Sequence, residues 1–195
     1  MMLDHRALVL AGLLALASGV LEGACAGEPS DQIRAQIDRL YQAVQPGALS
    51  SSGETEPVKV LDQMFDWPRM AEAALGEHWQ RRTAAERAEF TQLFARLFRR
   101  GYLSRINLVD TSKFQYAGDV ITGDRALVRT QVVTRKGSTI NVNYLTRLED
   151  GRRWRVTDVQ VERISLVGNY RTQFDAVVTR SSYEELVTRL RGAAK

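Results

Sequence analysis

"WRVTDVQVERISLVGNYRTQF" (154–174) passes from a strand into a helix, and its reading decides the fold. Trp154 and Val156 share one face of an extended segment. After Asp158 the alternation blurs, and Val159 and Val161 fall on the other parity. Such blurring means burial on both faces or a bulge. Leu166, Val167, Tyr170, Phe174 and the pair Val177/Val178 then recur with helical period, which predicts a helix over 166–180. The stretch holds aromatic rings, aliphatics, Arg163 and Arg171, with no histidine or cysteine.

Upstream of this junction the period is two. Strands are predicted near 112–117, 125–134, 138–148 and 153–163, with "KG" (136–137) and "EDG" (149–151) as hairpin turns. In the third, Ile140, Val142, Tyr144 and Leu148 alternate with Thr139, Asn141, Asn143 and Arg147. Four sequential strands joined by short turns form an antiparallel meander. Downstream, "SSYE" (181–184) caps a last helix carrying Leu186 and Leu190.

The segment before the strands is helical. Ile33, Ile37, Leu40, Tyr41 and Val44 form an apolar stripe over 30–45, with Ser30 or Asp31 as its cap. "PGALSSSGETEP" (46–57) reads as an exposed loop, and Leu61, Met64 and Phe65 mark a short helix after it. Asp66 caps the next, Pro68 sits in its first turn, and Gly76 ends it. "TAAE" (83–86) is a capping box opening a long helix to about 106. Phe90, Leu93, Phe94, Leu97, Phe98 and Tyr102 form its apolar face, opposite Arg87, Glu89, Arg96, Arg99 and Arg100. Helices, then four strands, then helices is an α+β layout, with helices packed on one face of a twisted sheet.

The 195 residues suffice for one domain with a small helical addition, and a 44% hydrophobic content allows a real core. "ALVLAGLLALASGVL" (7–21) has the length of a signal h-region, and "ACA" (24–26) fits the A-x-A rule. The expectation is a signal peptide over 1–26, an exported mature chain from 27, and no disulfide, since Cys25 is the only cysteine. An acylated Cys25 is the rival reading, against which Glu22 stands where a lipobox wants leucine. Of 27 basic residues only Lys59, Lys113, Lys136 and Lys195 are lysine. Arginine suits phosphate and carboxylate groups. The net charge of +4 is too mild for a nucleic-acid binder, so no nucleic-acid partner is expected.

Catalytic chemistry is sparse. His78 is the one histidine after the signal segment, so His/Cys zinc sites are excluded and no metal is expected. There is no glycine-rich phosphate loop and no HExxH. Asp158 and Glu162, four apart in the fourth strand, leave one enzymatic alternative: an inward carboxylate acting as a base in a small exported enzyme. Pairing of each with an arginine is the plainer account. A closed core serving a structural adaptor is a third reading. Collectively, a long helix faced with Phe and Tyr opposite a curved sheet can enclose a cavity that suits an acyl chain.

"FDWPRMAEAALGEHWQ" (65–80), "ERAEFTQLFARLF" (86–98), "YLSRI" (102–106) and "WRVTDVQVERISLVGNYRTQF" (154–174) together resemble the MlaC/toluene-tolerance family. A hopanoid-associated branch carries the same signature. The resemblance implies an MlaC-like lipid-binding domain over 27–195: a helical part at about 30–106, a sheet at about 112–163 and C-terminal helices at about 166–192. It implies a curved, four-stranded, NTF2-like antiparallel sheet packed with a helical subdomain around an apolar cavity. It implies a periplasmic shuttle without catalytic residues or cofactor, holding phospholipid as cargo. The shuttle would act as a monomer between an outer-membrane lipoprotein–porin complex and an inner-membrane MCE-domain ABC transporter, maintaining outer-membrane lipid asymmetry. Carried onto this chain, the lipid wall comprises Val142, Tyr144, Trp154, Val156, Val159, Ile164, Leu166, Val167, Tyr170 and Phe174, facing Phe94, Leu97 and Tyr102. Arg163 and Arg171 become head-group or partner contacts. The family usually reads Glu-Gly-Val-Ser where this chain has "ERIS" (162–165), so Arg163 in place of glycine bears on the local backbone.

Overall fold

A computed structural model describes residues 28–44, 56–106 and 109–193. The expected signal peptide and most of the 46–57 loop lie outside the described residues. Four helices come first: α1 (Pro29–Ala43), α2 (Glu56–Met64), α3 (Trp67–Leu75) and, after a 3₁₀ turn at Gly76–Arg81, α4 (Ala84–Ile106). The sheet follows with β1 (Val109–Thr122), β2 (Arg125–Thr134), β3 (Thr139–Glu149), β4 (Arg153–Val161) and β5 (Ile164–Ser165). Helices α5 (Leu166–Arg180) and α6 (Tyr183–Ala193) close the described chain.

Local chemistry sets most helix ends. Asp66 accepts from the Arg69 amide at 3.1 Å and starts α3, and Gly76 at φ 59° ends it. Thr83 and Glu86 cap each other's amides at 3.2 and 2.7 Å and open α4. Ser165 accepts from Gly168 and opens α5, and Ser182 accepts from Glu185 and opens α6. At α1 neither Ser30 nor Asp31 caps. The cap position is Glu28, and Ser30 instead donates its hydroxyl to Asp119 at 2.7 Å, pinning the helix to β1. Tertiary pairing displaced the local option.

The sheet corrects the expected architecture. It has five strands in the order β1-β2-β3-β4-β5, every pair antiparallel, and it is neither closed nor curled. The expectation of a curved four-stranded NTF2-like sheet is therefore wrong, although the α+β class stands. Each strand pairs only with its sequence neighbours, so β1 and β5 lie at opposite margins. The opposing wall is built by helices rather than by the sheet folding over. The fifth strand arises because β4 turns back through Glu162 and Arg163, both left-handed at φ 50° and 70°. A two-residue turn with both φ positive is a hairpin turn that normally takes Asn or Gly, so these side chains hid it.

The blurred pattern in β4 has a specific cause. Leu145 opposes Asp158 while Thr146 opposes Val156, so Thr157 is an extra, bulged residue. The bulge resets the parity. Val159 pairs with Tyr144 and Val161 with Val142, on the same face as Val156 and Trp154. All four apolar side chains of β4 thus point toward the helices. Val128, Val132, Val142 and Tyr144 join them there, and the buried hydroxyls of Thr130 and Thr146 are satisfied by the Val142 and Ala126 carbonyls.

Between the helices the interior is solid. Phe90, Phe94 and Phe98 of α4 pack against Phe174 and Tyr170 of α5, with ring centroids 5.6–6.3 Å apart in contacts such as Phe94–Tyr170 and Phe90–Phe94. Burying each such ring stabilises the fold by roughly 1.5–3 kcal/mol. Phe65 and Trp67 tie this cluster to the sheet, Phe65 bridging Val156.

Candidate functional site

Toward the C-terminal end of α4 the packing opens. A cavity of about 560 Å³ lies between α4, α5 and the inner face of the sheet. Helix α4 contributes Phe98, Gly101, Tyr102 and Arg105; α5 contributes Leu166, Asn169, Tyr170 and Gln173. The sheet supplies Phe114, Val132, Thr134, Ile140, Val142, Tyr144, Val159 and Val161, and α1 adds Tyr41. The cavity is open to solvent on one side and mostly apolar. A wider groove of about 760 Å³ runs on the sheet's outer face between Leu127, Leu145 and the arginines Arg69, Arg125 and Arg147. It is more open, so hydrocarbon laid there would stay wet.

The polar groups of the inner cavity are few and placed. The Tyr102 and Tyr144 hydroxyls meet at 3.2 Å. Burial pushes the phenols of Tyr41, Tyr102 and Tyr144 above their ordinary value, so they stay neutral donors. Tyr170 is also raised by burial, against the opposing pull of the nearby Arg105 charge. Arg105 folds back to donate to the Gly101 carbonyl at 2.8 Å. A Cβ at Gly101 would sit 3.3 Å from that guanidinium and 3.5 Å from the Tyr170 hydroxyl, so the glycine leaves room for both.

Of the residues assigned from sequence, the structure brings Tyr102, Val142, Tyr144, Val159, Leu166 and Tyr170 to the cavity. It places Phe94 and Phe174 in the solid helical core, with Val167 also buried and Leu97 packed at the core's edge. Val156 is buried against Phe65, and Trp154 lies near the α1 end of β4, where its backbone N–H donates to Gln32. Ile164 is 63% exposed on β5. Neither Arg163 nor Arg171 lines the cavity. Arg163 stands on the exposed turn, and Arg171 lies across Gly76. The basic residue of the cavity is Arg105, which sequence reasoning passed over although "YLSRI" holds it three residues after Tyr102. Val132 and Ile140 were legible by strand parity; Val161 was not, because the Thr157 bulge resets its parity, and neither was Tyr41, which arrives from α1.

The carboxylates do not enter the cavity. Asp158 accepts from the Val159 and Val167 amides at 2.8 and 3.1 Å, clamping the bulge to the first turn of α5. Glu162 accepts from the Asn141 amide. Neither takes the arginine partner expected of it; backbone amides occupy both. His78 pairs with Asp175 at 2.9 Å, away from the cavity. Among the described residues no His/Cys/Asp/Glu group is arranged to hold a metal, and no helix is long and apolar enough to cross a membrane.

A family profile described as "MlaC protein" matches residues 35–192. The chain belongs to the MlaC family. Members of this family are periplasmic phospholipid-binding proteins that serve lipid transport and are not enzymes. In fold, this MlaC-family chain is similar to a solved phospholipid-binding protein from Ralstonia solanacearum, determined in complex with a phospholipid. The TM-score is 0.69 at 20% identity, over 86% of this chain and 97% of that one. No curated protein matches the chain.

Proposed function

We propose that this chain binds the acyl tails of a phospholipid in the α4–α5–sheet cavity and carries it across the periplasm. Its route would run between an outer-membrane lipoprotein–porin complex and an inner-membrane MCE-domain ABC transporter, so that outer-membrane lipid asymmetry is maintained. The observation that carries this reading is the cavity: about 560 Å³, walled by aliphatic and aromatic side chains, with a cation among its few polar groups. Removing about ten methylenes from water at about 0.8 kcal/mol each contributes about 8 kcal/mol, the scale of micromolar binding. No bond need be made or broken, and an opening on one side allows the tails to enter and leave. The phospholipid complex of the Ralstonia protein, on the same fold, supports the assignment.

Native mass spectrometry of the gently purified mature protein tests it. Diacyl phospholipid at near one per chain is the expected result. A chain that emerges lipid-free and takes up no phospholipid from vesicles would overturn the reading.

A further inference from the structure

The polar groups of the cavity are spaced along α4. Tyr102 and Arg105 are i and i+3, so their side chains stand on one face within a single turn, about 5–6 Å apart at Cβ. Arg105 spends one of its five N–H groups on the Gly101 carbonyl. No carboxylate among the described residues pairs with it. Deeper in, Tyr144 is 2% exposed and its hydroxyl meets that of Tyr102. Two hydroxyls that bond only to each other use one proton of two. The second proton has no acceptor among the described residues. An unmade donor in an apolar cavity is costly, and a carbonyl oxygen in the cargo would relieve it.

From this geometry, and resting on the lipid-carrier reading above, we infer that α4 reads a glycerophospholipid at two points. Arg105 takes the phosphodiester, and the spare hydroxyl proton of the Tyr102–Tyr144 pair takes an acyl ester carbonyl one helical turn away. In a glycerophospholipid those two groups are joined through the glycerol, so one turn of helix is a fitting ruler. The glycine at 101 keeps the space beside the guanidinium clear. The cavity therefore prefers ester-linked to ether-linked tails, and phosphate-bearing to phosphate-free lipids.

The test uses delipidated mature protein and matched diester and diether phosphatidylglycerol, with diacylglycerol as the phosphate-free probe. The diester lipid is expected to bind about tenfold more tightly than the diether. Tyr102→Phe with Tyr144→Phe abolishes that ratio. Arg105→Gln weakens both phospholipids about tenfold, keeps the ratio, and leaves diacylglycerol unaffected. Inorganic phosphate at millimolar concentration displaces little lipid. Equal binding of diester and diether lipid by the natural chain overturns the ester contact without needing any variant to fold. Unchanged affinity in Arg105→Gln, or complete displacement by inorganic phosphate, overturns the phosphodiester contact. Failure of the natural chain to bind any of the three lipids sinks the carrier reading itself, which is a separate result.

Discussion

Val142→Trp separates a lipid cavity from an ordinary core. Val142 is buried on β3, opposite Val161, and its side chain borders the cavity. An indole there grows into space that is empty of protein atoms, so the lipid-free fold loses little. Its stability is expected to change by less than about 1 kcal/mol, whereas overpacking a filled core costs about 1–3 kcal/mol. The ring displaces about four methylenes of cargo at about 0.8 kcal/mol each, a loss of about 3 kcal/mol or about a hundredfold in affinity. Linkage makes this measurable in one assay. Lipid at a hundred times its dissociation constant stabilises the natural chain by about 2.7 kcal/mol, and the same concentration stabilises the variant by only about 0.4 kcal/mol. For a domain of this size the lipid-induced rise in Tm is expected to shrink by several degrees. Urea unfolding of lipid-free protein, followed by thermal unfolding with and without lipid, reads both quantities. A variant destabilised by the full overpacking cost, yet still raised in Tm by lipid as much as the natural chain, would refute the argument.

Three further outcomes follow from particular residues. Arg163 holds φ 70°, a left-handed conformation that disfavours a side chain, so Arg163→Gly is expected to stabilise the fold by about 0.5–1 kcal/mol, a rise of about 2 °C in Tm by calorimetry. Gly101→Ala exchanges a helix-interior glycine for the best helix former, worth about 1 kcal/mol, but crowds Arg105 and Tyr170; Tm is expected to rise while phospholipid affinity falls, and unchanged affinity would contradict the role given to that gap. The phenols of Tyr144, which is buried, and of Tyr41 and Tyr102, which are half-buried, have values that desolvation raises above 10 in the fold. Their contribution to stability is thus fully present below pH 10 and is lost as pH rises through the folded values. Stability measured against pH is expected to fall above 10, and Tyr144→Phe is expected to lessen that slope by up to about 1.4 kcal/mol per pH unit.

Much of this molecule follows from short-range signals in its chain. The Asp66, Thr83/Glu86 and Gly76 signals act within a turn, and both ends of α3 and the start of α4 lie where those residues put them. The alternation in β2 and β3 states which side chains face inward. Motif order in 65–106 and 154–174 was enough to point to the family. What these signals could not carry is anything that depends on distance between elements. The Thr157 bulge, which turns Val159 and Val161 to the inner face, is defined by register against β3. The fifth strand depends on two side chains held in a conformation they do not prefer. Phe94 and Tyr102 lie on the same stripe of α4, yet Phe94 is packed against the Tyr170 and Phe174 rings of α5 while Tyr102 borders the cavity. Periodicity reports that a side chain leaves water, not what it meets. Whether hydrophobic faces touch or stand apart is set by how helices seat on the sheet, so the cavity and the choice of Arg105 over Arg163 and Arg171 belonged to the tertiary structure alone.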